Sequence, residues 1–243
     1  MLRLHVDVDP PGGLREGLHF DLPAGAARHA QVRRVQPGDA LLLFDGRGGE
    51  WLATVHAMGR QQVSVELQRH DPVERELPLA VTLAVGMPAN ERMDTLVEKA
   101  TELGAAALQP LMCERAVLRL DGERAERKRE HWQAQAVAAA EQCGRTRVPQ
   151  LLPVRRFDDW LRQPRQGTGW VLSPVAGRPL PAEPPAGTAL TLLTGPEGGL
   201  APAEVERAVA AGFEPLHLGP RVLRADTAPL AVLAWLGLSA LTR

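Results

Sequence analysis

The hydrophobic pattern along the chain changes character after about residue 72. Before that point the apolar runs are short and alternate with polar residues. "QQVSVEL" alternates at a period of two, which predicts a half-buried strand. "ALLLFDGRGGEWLATVHAM" predicts a strand, a tight turn at Asp45-Gly46 with further glycines, and a second strand from Trp51. Only "GAARHAQVRRV" carries a helical pattern in this part. Several short antiparallel strands close most simply as a small barrel. The stretch "RHDPVERELP" is polar, holds two prolines and has no period, so the domain boundary is placed there, giving domains 1–72 and 73–243.

From Leu79 onward apolar strands alternate with amphipathic helices. "LAVTLAVGM" is a nearly continuous apolar run, as in a strand buried on both faces. "NERMDTLVEKATELG" follows, with Met93, Leu96, Val97, Ala100 and Leu103 on one face and Gly104 as C-cap. "AAALQPLM", "GWVLS" and "ALTLLT" read as strands. "ERKREHWQAQAVAAAEQCG" and "PAEVERAVAAGF" read as helices, the first with Trp132, Ala136, Ala139, Ala140 and Cys143 along one stripe. The alternation predicts an α/β domain with a mostly parallel sheet. One element breaks the pattern. The helix expected from Ala228 to Leu241 has no charge, so something must cover every side of it.

Composition narrows the picture. The 243 residues suffice for one large domain or two smaller ones, and 44% hydrophobic residues support a packed core. The formal net charge is −1, so any nucleic-acid surface is a local patch. Lysine is reduced to Lys99 and Lys128, with arginine carrying the remaining positive charge, which reads as codon bias in a GC-rich genome. Two distant cysteines, Cys113 and Cys143, provide neither a zinc site nor a disulfide framework and fit a reduced cytoplasmic protein. "MLRLHVDVDPPGG" lacks the apolar core of a signal peptide, and no apolar run reaches the length of a membrane span.

The candidate chemistry lies in two glycine-containing loops, each leaving a strand and entering a helix. The first is "TGPEGGL" from Thr194 to Leu200. Glycines at a strand's carboxyl end let backbone approach a ligand and aim amides at it. A plain strand-to-helix turn is the alternative. The loop is neither the dinucleotide fingerprint G-x-G-x-x-G nor a P-loop, since no G-K-[ST] follows. The second loop is "LGPRVLRADTA", after "EPLHL", where Asp226 or Thr227 can cap the next helix and Pro229 sits in its first turn. Arg221 and Arg224 alone would read as solvated charges. Two such loops in one sheet make a ligand site the stronger reading.

"LLTGPEGGL" followed by "AAGFEPLHLGPRVLRADTA" resembles the signature of the RsmE-type 16S ribosomal RNA uridine N3-methyltransferases of the SPOUT class. "VEKATELGAAALQPLMCERAV" and "AAAEQCGRTRVPQL" resemble two further blocks, and "RHAQVRRVQPGDALLLFDGRGGEW" resembles the RNA-binding N-terminal domain. The four ordered blocks cover nearly the whole chain. Three departures stand out: Ala225-Asp226 where the family has Thr-Glu, Ala201 where it has Ser, and Arg33 where it has Leu.

The resemblance implies a PUA-like or OB-like β-barrel, then a SPOUT α/β domain with a deep trefoil knot. It implies a homodimer through the C-terminal helix, and methylation of a uridine N3 in the 16S rRNA of the small ribosomal subunit. S-adenosyl-L-methionine would lie against Leu172, Ser173, Thr194, Gly195, Gly198, Gly199, Leu218, Gly219, Arg221, Val222, Leu223, Thr227 and Ala228. No metal is required. Arg224 is the candidate for stabilising the uracil, with Glu197 or Asp226 as base. Arg28, His29, Arg33 and Arg34 form one basic helical stretch for RNA. Arg115, Arg145 and Arg147 follow element ends and are further pocket or RNA candidates, whereas "ERAERKRE" reads as a solvated helix face. Rival readings are a non-catalytic RNA-binding protein with this fold, a SPOUT enzyme acting on another RNA, and an α/β enzyme acting on a small molecule.

Overall fold

The structure is a computed structural model that describes residues 1–60, 62–174 and 177–241. The chain divides into two units, Met1–Glu76 with Ala140–Val148, and Leu77–Ala139 with Pro149–Arg243.

The first unit holds β1 (Leu2–His5), β2 (His19–Asp21), α1 (Ala24–Val32), β3 (Ala40–Phe44), β4 (Glu50–Met58) and β5 (Val63–Asp71), in the sheet order β1-β3-β4-β5-β2. The period-two reading of β5 holds, with Val63, Val65 and Leu67 fully buried. They pack with Leu4, Leu41, Leu43 and Val55, and with Ala26, Ala27 and Ala30 from one face of α1. One feature differs from expectation. β1 pairs parallel to β3, because the chain passes through β2 and α1 before β3 begins. The turn after β3 follows the expected run of glycines through residues 45–49, with Gly46, Gly48 and Gly49 all at positive φ.

The segment Ala140–Val148 carries no compositional mark of its own, yet it counts with this unit and is bonded into it. Arg3 donates to the carbonyls of Ala140 and Arg145, and Arg75 donates to that of Gly144. Glu76 pairs with Arg145, and Glu74 pairs with Arg147 at 2.8 Å. The boundary at residue 72 thus leaves out Val73–Glu76 and this returning segment. Pairing by side chains far apart in sequence leaves no local period to read.

The second unit is built on β6 (Ala80–Gly86), α2 (Asn90–Glu102), β7 (Ala107–Met112), α3 (Gly122–Cys143), β8 (Gln150–Leu151), β9 (Arg155–Arg156), α4 (Phe157–Leu161), β10 (Thr168–Leu172), β11 (Arg178–Pro179), β12 (Ala189–Thr194), α5 (Pro202–Ala210), β13 (Glu214–His217) and α6 (Thr227–Ala240). The sheet order is β11-β13-β10-β12-β6-β7-β8, with β9 also on β7, and every ladder is parallel. Apolar runs supply the central strands because both faces are covered: Val81, Leu83, Ala84, Leu190, Leu192 and Leu193 are buried. On α2, Met93, Leu96, Val97 and Ala100 are fully buried, while Leu103 is only half-buried as the C-cap residue before Gly104. Trp132 on α3 is buried and donates its Nε1 proton to Asp94 at 2.9 Å.

The last helix, α6, packs on α2 and β12. Pro229, Val232, Leu233 and Leu236 are buried, but Leu238 is 67% exposed. The uncharged helix is therefore covered on one side only within the single chain. No helix among the described residues is long and apolar enough to cross a membrane.

Candidate functional site

Three adjacent strands of the second unit, β13, β10 and β12, end at the same edge, and the loops leaving them enclose a cavity of about 390 Å³. That volume lies within the roughly 300–1,000 Å³ of ligand pockets. Leu172 and Ser173 supply the wall from β10. Thr194, Gly195, Glu197, Gly198 and Gly199 supply the wall after β12. Leu218, Gly219, Arg221, Val222, Leu223, Arg224 and Ala228 close it after β13. Of the expected cofactor residues only Thr227 stays out of the lining. It is the first residue of α6, with its N–H on the capping Asp226 carboxylate at 3.1 Å.

The loop after β12 is shaped by close backbone approach. A Cβ on Gly195 would stand 2.4 Å from the Leu200 nitrogen, so no larger residue fits without moving backbone. Gly199 has φ +69° and donates to the Pro196 carbonyl at 2.8 Å, which closes the turn. Helix α5 then starts at Ala201, where the hydroxyl cap of a serine is missing. Half of a capping box replaces it: the buried Glu204 carboxylate accepts the Ala201 N–H at 2.9 Å. Arg115 donates to the Gly198 carbonyl at 3.1 Å and so braces this loop.

One atom in the wall points to a ligand. The Thr194 Oγ1 is buried and has no hydrogen-bond partner among the described residues. A buried hydroxyl without a partner is unfavourable by about 1–3 kcal/mol. A polar ligand at this wall would satisfy it. An adenosyl group with hydroxyls, ring nitrogens and an amino group fits a cavity walled by glycine backbone, leucines and one such hydroxyl.

The charged groups sort differently from expectation. Glu197 lines the cavity, but its Oε1 accepts the Ala89 N–H at 2.9 Å and lies 3.4 Å from Arg92 Nη1, so it caps the start of α2. Asp226 does not line the cavity and caps α6. Arg224 lines it, is exposed, and forms no ion pair among the described residues. Pro196 lines it within the expected Thr194–Gly199 loop, whereas Arg92, Pro174, Leu216, His217 and Ala225 also line it and sequence reasoning missed them. The signal for Arg92 was its place one turn into the helix that follows β6, the strand beside β12.

The chain has relatives across nearly its whole length. The family described as RNA methyltransferase domain matches residues 75–237, and the RNA methyltransferase PUA domain matches residues 22–68. Ribosomal RNA small subunit methyltransferase E of Bacillus subtilis is 32% identical over 236 residues, covering 91% of this chain and 90% of that protein. The chain belongs to the ribosomal RNA small subunit methyltransferase E family. The Synechocystis member is 35% identical over 216 residues, covering 84% of this chain and 67% of the relative. A solved structure of the Neisseria gonorrhoeae member, bound to S-adenosyl methionine, aligns with TM-score 0.90 at 33% identity, covering 98% of this chain and 97% of that one. The methyltransferase E family thus supplies the α/β fold, the PUA domain and members that bind this cofactor.

The methyltransferase E resemblance also assigned RNA-contacting arginines, and the first unit sorts them. Arg28 is exposed on α1, and His29 faces Glu141 at 3.4 Å. Arg33 is the C-cap, and Arg34 lies past the helix with φ +56°, so the basic stretch is half helix and half turn. Arg145 is only 4% exposed and pairs with Glu76, which corrects its expected place on an RNA-facing surface. Arg147, paired with Glu74, is likewise engaged within the unit.

Proposed function

We propose that this chain transfers a methyl group from S-adenosyl-L-methionine to N3 of one uridine in the 16S rRNA of the small ribosomal subunit. The observation that carries the reading is the unpartnered Thr194 hydroxyl in a cavity at three strand ends, in a family with cofactor-bound members. When bound, the cofactor supplies a methyl group on a sulfonium, which leaves as a neutral thioether. Backbone amides of the two loops and the Thr194 hydroxyl hold the adenosine part, and leucines 172, 218 and 223 cover its apolar faces.

Uridine N3 becomes nucleophilic only when it loses its proton, and paired or stacked bases must be splayed out before they fit a pocket. Arg224, a permanent cation, stabilises the charge that builds on the uracil oxygens. Glu197 is the only acid on the cavity wall among the described residues, and its second oxygen, Oε2, takes the N3 proton. Glu197→Gln then lowers the single-turnover rate about 100-fold or more. A wild-type rate in that variant removes Glu197 from the chemistry. In the first unit, Arg28, His29, Arg33 and Arg34 hold RNA phosphates.

The finer architecture belongs to the same proposal. The first unit is a PUA-like barrel, and the second is a SPOUT domain whose C-terminal part forms a deep trefoil knot. In support, β13 joins the sheet beyond β10 while α6 returns to β12 and α2. A crystallographic backbone trace that unthreads when its ends are pulled would exclude the knot. The exposed Leu238 supports a homodimer through α6, and the RNA substrate implies a cytoplasmic site of action.

The test is methylation of small subunits from a strain lacking this gene, with labelled cofactor, followed by mass spectrometry of rRNA fragments. N3-methyluridine at one site is expected. A methyl group on another RNA or another atom overturns the assignment.

A further inference from the structure

We propose that Arg92 is the cavity's anion-binding residue and receives a pair of anionic oxygens from a bound ligand. The inference deepens the reading above and rests on it. The cavity is lined by three arginines, Arg92, Arg221 and Arg224, and by one acid, Glu197. Arg221 and Arg224 share the loop after β13, whereas Arg92 comes from the first turn of α2.

Two observations set Arg92 apart from a mere partner of Glu197. Its only ion pair among the described residues is one contact, Nη1 to Oε1 at 3.4 Å, far from the parallel fork that locks an arginine to a carboxylate. The same Oε1 is already held by the Ala89 N–H at 2.9 Å. A guanidinium has five N–H donors, so four remain for a ligand. Glu197 therefore steers the Arg92 head toward the cavity without saturating it. The N-terminal end of α2 adds the positive end of its dipole at the same place.

The ligands of the proposed reaction present matching chemistry in two forms. The cofactor carries an α-carboxylate, and the target nucleotide carries a phosphate. Both offer paired anionic oxygens suited to a planar fork, and binding experiments distinguish them.

The experiment compares wild type, Arg92→Gln, Arg92→Lys and Glu197→Gln by calorimetry with two probes. S-adenosylmethionine has the carboxylate, and 5′-methylthioadenosine lacks the whole amino-acid part. Single-turnover titration with small subunits gives the RNA dependence. If Arg92 holds the carboxylate, Arg92→Gln weakens S-adenosylmethionine roughly tenfold or more and leaves methylthioadenosine unchanged. If it holds the phosphate, both probes bind normally and the half-saturating RNA concentration rises roughly tenfold at an unchanged saturated rate. In either case Arg92→Lys recovers part of the loss. Two results overturn the proposal: no change in any of these quantities for Arg92→Gln, or an equal weakening of both probes in Arg92→Gln and Glu197→Gln, which makes Arg92 a loop brace only. Failure of the wild type to bind S-adenosylmethionine overturns the reading of the cavity and this inference with it. Normal wild-type binding beside an unaltered Arg92→Gln overturns the inference alone.

Discussion

The carboxylate of Glu204 accepts the backbone N–H of Glu114 at 2.9 Å. Its other oxygen accepts the N–H of Ala201, so one buried side chain ties the residues after β7 to the loop that closes the cavity. Glu204→Ala leaves both donors without acceptors and removes the cap of α5. A destabilisation of about 2–3 kcal/mol is expected, with weaker cofactor binding. Glu204→Gln keeps one acceptor and should fall between. Urea unfolding checks this, and an unchanged midpoint in the alanine variant would show that the carboxylate holds nothing of consequence.

The two loop glycines should respond differently to the same change. A Cβ on Gly195 meets backbone at 2.4 and 2.6 Å, so Gly195→Ala must displace the loop and abolish cofactor binding. A Cβ on Gly199 meets nothing within 4 Å, and the variant bears only the strain of φ +69°, about 1 kcal/mol. Calorimetry on Gly199→Ala should find binding within a few-fold of wild type. Equal losses in the two variants would contradict the geometry.

Glu50 is buried between Arg3, at 2.6 Å, and Arg75, at 3.2 Å. Burial pushes its carboxyl up, but the hydrogen bonds from Arg75 and Arg3 and their charges outweigh it, leaving the group below its ordinary value of 4.5. A depressed carboxyl contributes stability above its unfolded value and loses it as pH falls through the folded one. Thermal melts should therefore show the first unit weakening below about pH 4.5. Glu50→Gln should be less stable at pH 7 by about 3 kcal/mol, with a shallower acid decline. Identical pH profiles for the two proteins would rule out the clamp.

Dimerisation is tested at Leu238, which is exposed in the single chain. Leu233 is fully buried within its own unit, so a charge there would report on folding instead. Sedimentation at micromolar concentration should give twice the chain mass for wild type and a folded monomer for Leu238→Asp. An active wild-type monomer defeats the proposal.

Arg224 and Arg34 should separate chemistry from RNA binding. Arg224→Ala should lower the saturated methyl-transfer rate about 100-fold with little change in cofactor affinity. Arg34→Ala should weaken RNA binding and reduce its salt dependence while the saturated rate holds. Arg34→Gly is the companion variant, because φ +56° favours glycine and keeps the turn. Equal loss of saturated rate in Arg224→Ala and Arg34→Ala would end the division.

The buried parallel strands were legible because burial on both faces leaves an uninterrupted apolar run, as in β6 and β12. The cavity loops were legible because Gly195, Gly199 and Gly219 all fall within five residues of a strand's carboxyl end. What stayed hidden depends on partners remote in sequence. β1 and β2 are four and three residues long, too short to show a period. Arg145 looked like a free cation because its partner Glu76 lies 69 positions away. Arg92 was missed because Glu197 of the β12 loop, which stands beside it, lies 105 positions away. Ala201 looked like a lost cap, although Glu204 three residues on already spelled the compensating half of a capping box.

The return of Ala140–Val148 to the first unit means that no single stretch of sequence encodes that unit. A fragment cut at the polar, proline-bearing stretch would keep all five strands of the sheet. It would lose Glu141, Arg145 and Arg147, the partners of His29, Glu76 and Glu74, and the carbonyls that Arg3 and Arg75 hold. Dissecting this protein into an RNA-binding piece and a catalytic piece therefore calls for a linker that carries residues 140–148 back in place, because the obvious cut takes from His29, Glu74 and Glu76 the partners they have in the whole chain.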